Sequence, residues 1–214
     1  KRTGGLAVLA VVAAMVAAGC GGGGGSTGQA DSGWLLSNQK VDGSIGFTPL
    51  PLPGTYQNYT ATSTGNVVFG LNANGTGYRA FMDFPLDGSA GGASVPAGAS
   101  IQLATLSVFV GNVSLSSTVP TLLELVSFPV TGPTPADYDS PSLKTLNPFS
   151  FYDYETGNFV VLEVTPLMAE AQRLKMRNLQ LRFRLDNTVA GAAGVVTLTE
   201  GTSGQAPILT VAYD

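Results

Sequence analysis

Between Val67 and Tyr213 the chain is cut into short apolar segments, each bounded by clusters of Gly, Pro, Asn or Asp. Segments this short are strands, because an amphipathic helix needs a longer run at 3.6-residue spacing. The predicted strands run from Val67 to Leu71, Tyr78 to Phe84, Ile101 to Val110, Leu122 to Val130, Phe149 to Tyr154, Asn158 to Val164, Leu179 to Leu185, Val195 to Thr199 and Ile208 to Tyr213. The stretch from Leu179 is the cleanest. Leu179, Leu181, Phe183 and Leu185 fall on one side, with Gln180, Arg182 and Arg184 on the other, which predicts a half-buried strand with a basic outer face. Many such strands predict an all-β domain, a β-sandwich of jelly-roll type.

One stretch departs from that pattern. Thr165-Pro166-Leu167-Met168-Ala169-Glu170-Ala171 sets Thr at a natural N-cap and Pro in the first turn, with good helix formers behind. Leu167, Ala171 and Leu174 share a face, and Arg173, Lys175 and Arg177 favour the C-terminal end of the dipole. The spacing predicts one short helix from Pro166 to Arg177, packed on the sandwich edge. Upstream, Thr48-Pro49-Leu50-Pro51-Leu52-Pro53-Gly54 cannot be a central strand. It reads as an extended connection over the domain.

Composition narrows the function classes. Charged residues are 11% of the chain, the formal net charge is −4, and there are 28 Gly and 13 Pro. This balance attracts no nucleic acid. Histidine is absent, which removes the commonest general base and metal ligand. A Ser-His-Asp triad, a Cys-His pair and a zinc histidine cluster are therefore excluded. Carboxylate-pair hydrolysis of glycosides and Lys or Tyr chemistry survive that exclusion; the chain reads as a binding or structural module, not an enzyme.

The start of the chain is of another kind. Lys1-Arg2 precedes an apolar run from Leu6 to Ala18, and a lone cysteine, Cys20, then meets Gly21 to Gly25 and Ser26-Thr27-Gly28. The run is shorter than the ~20 residues a spanning helix needs, and its basic start and small-residue end have the form of a secretory signal. Ala17-Ala18-Gly19-Cys20 resembles a bacterial lipobox, with Ala17 where that family favours Leu. The resemblance implies that Cys20 becomes the lipidated first residue, carrying palmitate-type acyl chains into a membrane. The alternatives are an ordinary signal with an incidental cysteine and an apolar helix that is never cleaved. Lipidation also disposes of a thiol with no intramolecular partner. Gly21 stands where an inner-membrane retention signal would place Asp, so the resemblance implies the outer membrane or cell surface. The expected organisation is a signal over 1–19, a lipidated Cys20 with a flexible tether over 20–38, and the sandwich over 39–214. Trp34-Leu35-Leu36 interrupts that tether as the first residues expected to dock.

Within the sandwich, "NFVVLEVTPLMAEAQRLKMRNLQLRFRL", the closing "GQAPILTVAY", and "YRAFMDFPLDG" followed by "VPAGASIQLATLSVFV" resemble the DNRLRE or disaggregatase-related carbohydrate-binding module family. The likeness spans Lys40 to Asp214. Pro85 and Glu163 replace aspartates of that pattern, and the string DNRLRE itself does not occur. The family implies a secreted jelly roll and a polysaccharide ligand. An envelope or extracellular assembly protein is the alternative partner.

The candidate ligand residues are aromatic and acidic. Asp137-Tyr138-Asp139 and Asp153-Tyr154-Glu155 are acidic loops with a tyrosine inside each. Such loops either hold Ca²⁺ through oxygen ligands or are simply solvated. In Phe149-Ser150-Phe151-Tyr152-Asp153-Tyr154, strand alternation sends Phe149 and Phe151 inward and Tyr152 and Tyr154 outward. The two tyrosines are either a sugar platform, with Asp137, Tyr138 and Asp139 as neighbours, or cover for an adjacent loop. Arg182 and Arg184 offer a site for an acidic glycan, unless cross-strand carboxylates pair with them.

Overall fold

A computed structural model describes residues 30–201 and 204–214. The signal, Cys20 and the glycine tether lie outside the described residues. Thirteen strands form the domain: β1 (Asp31–Leu36), β2 (Gly43–Thr48), β3 (Thr55–Thr60), β4 (Asn66–Leu71), β5 (Gly77–Pro85), β6 (Ile101–Ser114), β7 (Thr118–Leu125), β8 (Lys144–Thr145), β9 (Phe149–Tyr152), β10 (Phe159–Glu163), β11 (Asn178–Leu185), β12 (Gly194–Thr199) and β13 (Ile208–Tyr213). Helices are few: a single turn, α1 (Ala61–Thr64), and α2 (Thr165–Arg173).

Every pairing is antiparallel. The hydrogen-bonded path is continuous but folds over at the β4–β5 hairpin, which pairs only at Gly70–Tyr78 and Leu71–Gly77. Beyond that point β11 takes the edge of β5 that β4 leaves. One layer contains β6 with β10 on one edge, and β12 and β13 end to end along the other, continued by β4 and β1. The second contains β3, β2, β5, β11 and β7, with β8 and β9 at its far edge. The result is the predicted all-β sandwich.

The core lies between the layers. Phe69 of β4 stacks on Phe183 of β11 with ring centroids 5.4 Å apart, and Phe151 of β9 meets Phe69 edge-on at 5.7 Å. On β6 the inward set is Ala104, Leu106, Val108 and Val110, then Val113. The change of parity follows from a bulge, because Val110 pairs with Leu198 and Asn112 with Thr197. The skipped residue is Gly111, and an extra residue in one strand reverses which side faces in.

Several boundaries differ from those the sequence predicts. The stretch 31–36, expected within the tether, is instead a strand paired with β13. The strand expected from Leu122 to Val130 starts at Thr118 and ends at Leu125. Val126 and Phe128 leave it to cover the outer side of β5, forming a second small core with Val41, Ile45, Phe81 and Tyr138. That cover also corrects the exposed basic face expected of β11: Gln180 and Arg182 are buried. Helix α2 stops at Arg173, since Lys175 takes a left-handed φ of 55°. Lys175 and Arg177 therefore lie past its end, and the helix faces the core through Leu167, Met168 and Ala171. Val164 occupies the N-cap position. The Thr165 hydroxyl instead accepts the Ala104 N–H at 3.0 Å, tying the helix start to β6.

Two buried carboxyls meet where the β1–β2 connection touches the end of β12. Asp42 Oδ1 accepts the Asp83 N–H at 2.6 Å, and Glu200 Oε2 accepts the Ser37 hydroxyl at 2.8 Å. Asp42 Oδ2 and Glu200 Oε1 find no donor among the described residues. Burial pushes Glu200 up to about 7. Burial and then the neighbouring Glu200 hold Asp42 well above the carboxylate range.

Candidate functional site

β9 ends at Tyr152, and Asp153 to Glu155 make a tight helical turn. The turn is fixed by the Tyr152 N–H donating to Glu155 Oε2 at 2.8 Å and the Asp153 N–H donating to the Ser117 carbonyl at 3.0 Å. Phe151 is fully buried, as alternation requires, and Phe149 packs against the core. Tyr154 is positioned by the turn and not by strand alternation. Its ring lies parallel to that of Tyr152, centroids 5.1 Å apart and planes within 10°. Tyr152 is 36% exposed and Tyr154 71%. Desolvation, with Glu155, Tyr152 and Asp153 adding to it, raises the Tyr154 phenol further above neutrality. The Tyr154 hydroxyl is therefore neutral at pH 7.

The other acidic loop is a strap, not an open site. Asp137 Oδ2 accepts both the N–H and the hydroxyl of Thr134, each at 2.7 Å. Tyr138 is buried, its hydroxyl donates to the Gly77 carbonyl at 3.1 Å, and the Arg79 guanidinium sits 4.0 Å from its ring centroid. Asp139, exposed, pairs with Arg79 at 2.6 Å. Beneath the strap Arg182 donates to the carbonyls of Asp137 and Tyr138 at 3.0 and 3.1 Å. Arg182 also pairs with Glu124 at 2.7 Å, and Arg184 reaches the same carboxylate at 3.0 Å. The cross-strand pairing of both arginines is thus what the structure contains.

The two tyrosine-bearing loops are not brought together. Tyr152 sits opposite Thr118 at one end of β7, while the Arg182 that pins the strap is opposite Glu124 near the other. Six residues of strand separate those positions by roughly 20 Å. Tyr138, Asp137 and Asp139 are therefore no neighbours of Tyr152 and Tyr154. Among the described residues no group of three or more acidic or cysteine side chains converges on one point.

Sequence reasoning missed a third set. β3 reads Thr55-Tyr56-Gln57-Asn58-Tyr59-Thr60, polar throughout and largely exposed. Its Tyr59 meets Tyr78 of β5, ring centroids 6.2 Å apart, in the wall of a cleft of about 420 Å³. The four strand-favouring Thr and Tyr residues in six, directly after Pro53-Gly54, were the available signal. A smaller hollow of about 250 Å³ beside it is lined by Arg79 and Arg184, both already committed to carboxylates. No family model matches this chain, and no curated protein matches it.

Proposed function

We propose that the protein is a lipid-anchored envelope protein at the outer membrane or cell surface whose β-sandwich is a non-catalytic carbohydrate-binding module. The observation that carries the ligand class is the solvent-exposed Tyr152–Tyr154 stack. An exposed aromatic face offers a sugar ring an apolar contact while its hydroxyl remains available to bond. The resemblance of the Lys40–Asp214 span to a secreted carbohydrate-binding family supports the same reading. Replacing Tyr152 and Tyr154 together with alanine is expected to weaken binding on a glycan array at least tenfold. Stability should fall by no more than about 1 kcal/mol, because the rings lie outside the core. Undiminished binding moves the site away from these rings.

The anchor rests on Cys20 and is tested separately. Native protein from membranes should carry acyl chains on Cys20 by mass spectrometry, and Cys20→Ala should release it to the soluble fraction. A variant that remains membrane-bound removes the anchor from the proposal.

A second reading, a protein-interaction subunit of an envelope assembly, has its own observation. β10 pairs only with β6 among the described residues, and its outer face exposes Val161 and Phe159, the latter 5.1 Å from the ring of Phe109 on β6. An unpaired strand edge with apolar side chains is a template for strand addition by another chain. Val161→Lys should abolish a co-purifying partner if this reading is right and leave glycan binding intact.

A further inference from the structure

We propose that the step between the two sheets is a binding cleft for a neutral saccharide, with Tyr59 and Tyr78 as its aromatic wall. The proposal rests on the carbohydrate-binding reading but assigns a different site from the Tyr152–Tyr154 stack. The first layer ends at β4, whereas the second continues through β2 and β3. Beyond the contact of β4 with Ser44, the core-facing side of that extension has no opposing strand among the described residues. Ile45 and Phe47 of β2 turn to the outer cluster, so Ser44 and Gly46 occupy the core-facing side. Tyr59 is opposite Ser44 and Tyr78 opposite Gly46, which puts both rings on that side. A buried face of a sandwich is ordinarily Leu, Ile, Val or Phe; here it is Ser, Gly and two Tyr.

The cleft that results measures about 420 Å³, within the range of small-ligand sites. Val68, Val195 and Leu115 supply its apolar surface, and no Asp, Glu, Lys or Arg lines it. Its polar groups are partly uncommitted. Ser44 Oγ accepts the Val68 N–H at 2.6 Å, which leaves its own proton to donate. The Asn66 amide donates to the Thr64 carbonyl at 2.9 Å, which leaves its oxygen to accept. Desolvation raises the Tyr59 phenol, so it stays neutral. Apolar floor, aromatic wall, hydroxyl and amide groups and no charge match an uncharged polyol ring, and they disfavour uronates, phosphates and cations.

The test is isothermal titration of the full chain, solubilised in detergent, with neutral hexaoses (cello-, xylo-, manno-, malto- and chito-) and with hexagalacturonate as the acidic counterpart. At least one neutral probe should bind. Tyr59→Ala should weaken that binding tenfold or more, and Asn66→Ala three- to fivefold with an unchanged melting temperature, so that a folding defect in the first variant does not decide the matter. The neutral probe that the Tyr59 cleft holds should keep its affinity within twofold in Tyr152→Ala/Tyr154→Ala, the tenfold loss on the array falling on other glycans, those bound at the stack. Loss of binding in the Tyr152/Tyr154 variant alone, or binding of the acidic probe alone, overturns the cleft and keeps the carbohydrate reading. Binding of no probe overturns the cleft, and the glycan array then decides the broader reading.

Discussion

Replacing Glu124 with alanine is expected to lower the unfolding free energy by about 3–5 kcal/mol, the usual consequence of removing one partner from a buried ion pair. Glu124 and Arg182 are each 3% exposed, and Glu124 serves two guanidinium groups from the two ends of its carboxylate. Arg182 Nε donates to Oε2 at 2.8 Å and Arg184 Nε to Oε1 at 3.0 Å. Burial pulls the Arg182 pKa down and Glu124 opposes that shift. Without the carboxylate a buried cation is left with only the Asp137 and Tyr138 carbonyls and the Ser140 hydroxyl. Urea denaturation measures the effect. The double replacement Glu124→Leu/Arg182→Leu should recover much of the loss, since apolar pairs often substitute for buried ion pairs without penalty. A single-variant loss below about 1 kcal/mol would mean that Arg182 finds solvent in the folded state.

Glu200→Gln is expected to flatten the pH dependence of stability between about pH 4.5 and 7. The folded carboxyl titrates near 7 while an unfolded one titrates near 4.5. Between those values the native state holds a proton that the unfolded chain has lost, so stability falls as pH rises through this window. The difference amounts to on the order of 3 kcal/mol at 1.36 kcal/mol per unit. The raised Asp42 adds to the decline. Asp83, also raised by burial, acts in the same direction. The lowered Asp87, Glu170 and Asp186 act oppositely and only at lower pH. Lys40 is the exposed cation nearest in sequence to Asp42. A glutamine at position 200 supplies a permanent N–H to the orphaned Asp42 oxygen, so the variant should match the wild type near pH 5 and exceed it at pH 8. Equal slopes for the two proteins across pH 5–8, measured by urea melts, would sink the assignment.

Where one face of a strand is apolar, the pattern in the chain was enough to read it. β11 and the inward half of β6 follow their alternation, because period two is a property of the strand itself. The same pattern was misleading about the other face. Gln180 and Arg182 read as solvated, yet residues 126–140 arch over them, and nothing local to β11 encodes that cover. β2 was missed for a related reason. Its glycines resemble turn residues, but a Cβ on Gly43 would lie 2.6 Å from the Tyr59 carbonyl oxygen, so the glycine is there to let β3 approach. For the site, exposure of Tyr152 followed from alternation, and that of Tyr154 emerged from a turn that alternation did not foresee. Loss of Tyr138 from the site was not legible, because its partners Arg79, Gly77 and Arg182 are distant in sequence, whereas the Asp137 carboxylate is held by Thr134 three residues away.

The pairing of β1 with β13 sets a timetable. Asp31 lies opposite Tyr213, so among the described residues the first strand pairs along its length with the last. Closure of that layer must wait until β13 has been delivered, and contacts of such long sequence separation form late and slowly. Under the proposed export, in which the chain would cross a membrane as an extended thread, the delay would be an advantage. The N-terminal segment cannot commit to a finished sheet while the remainder is still in transit.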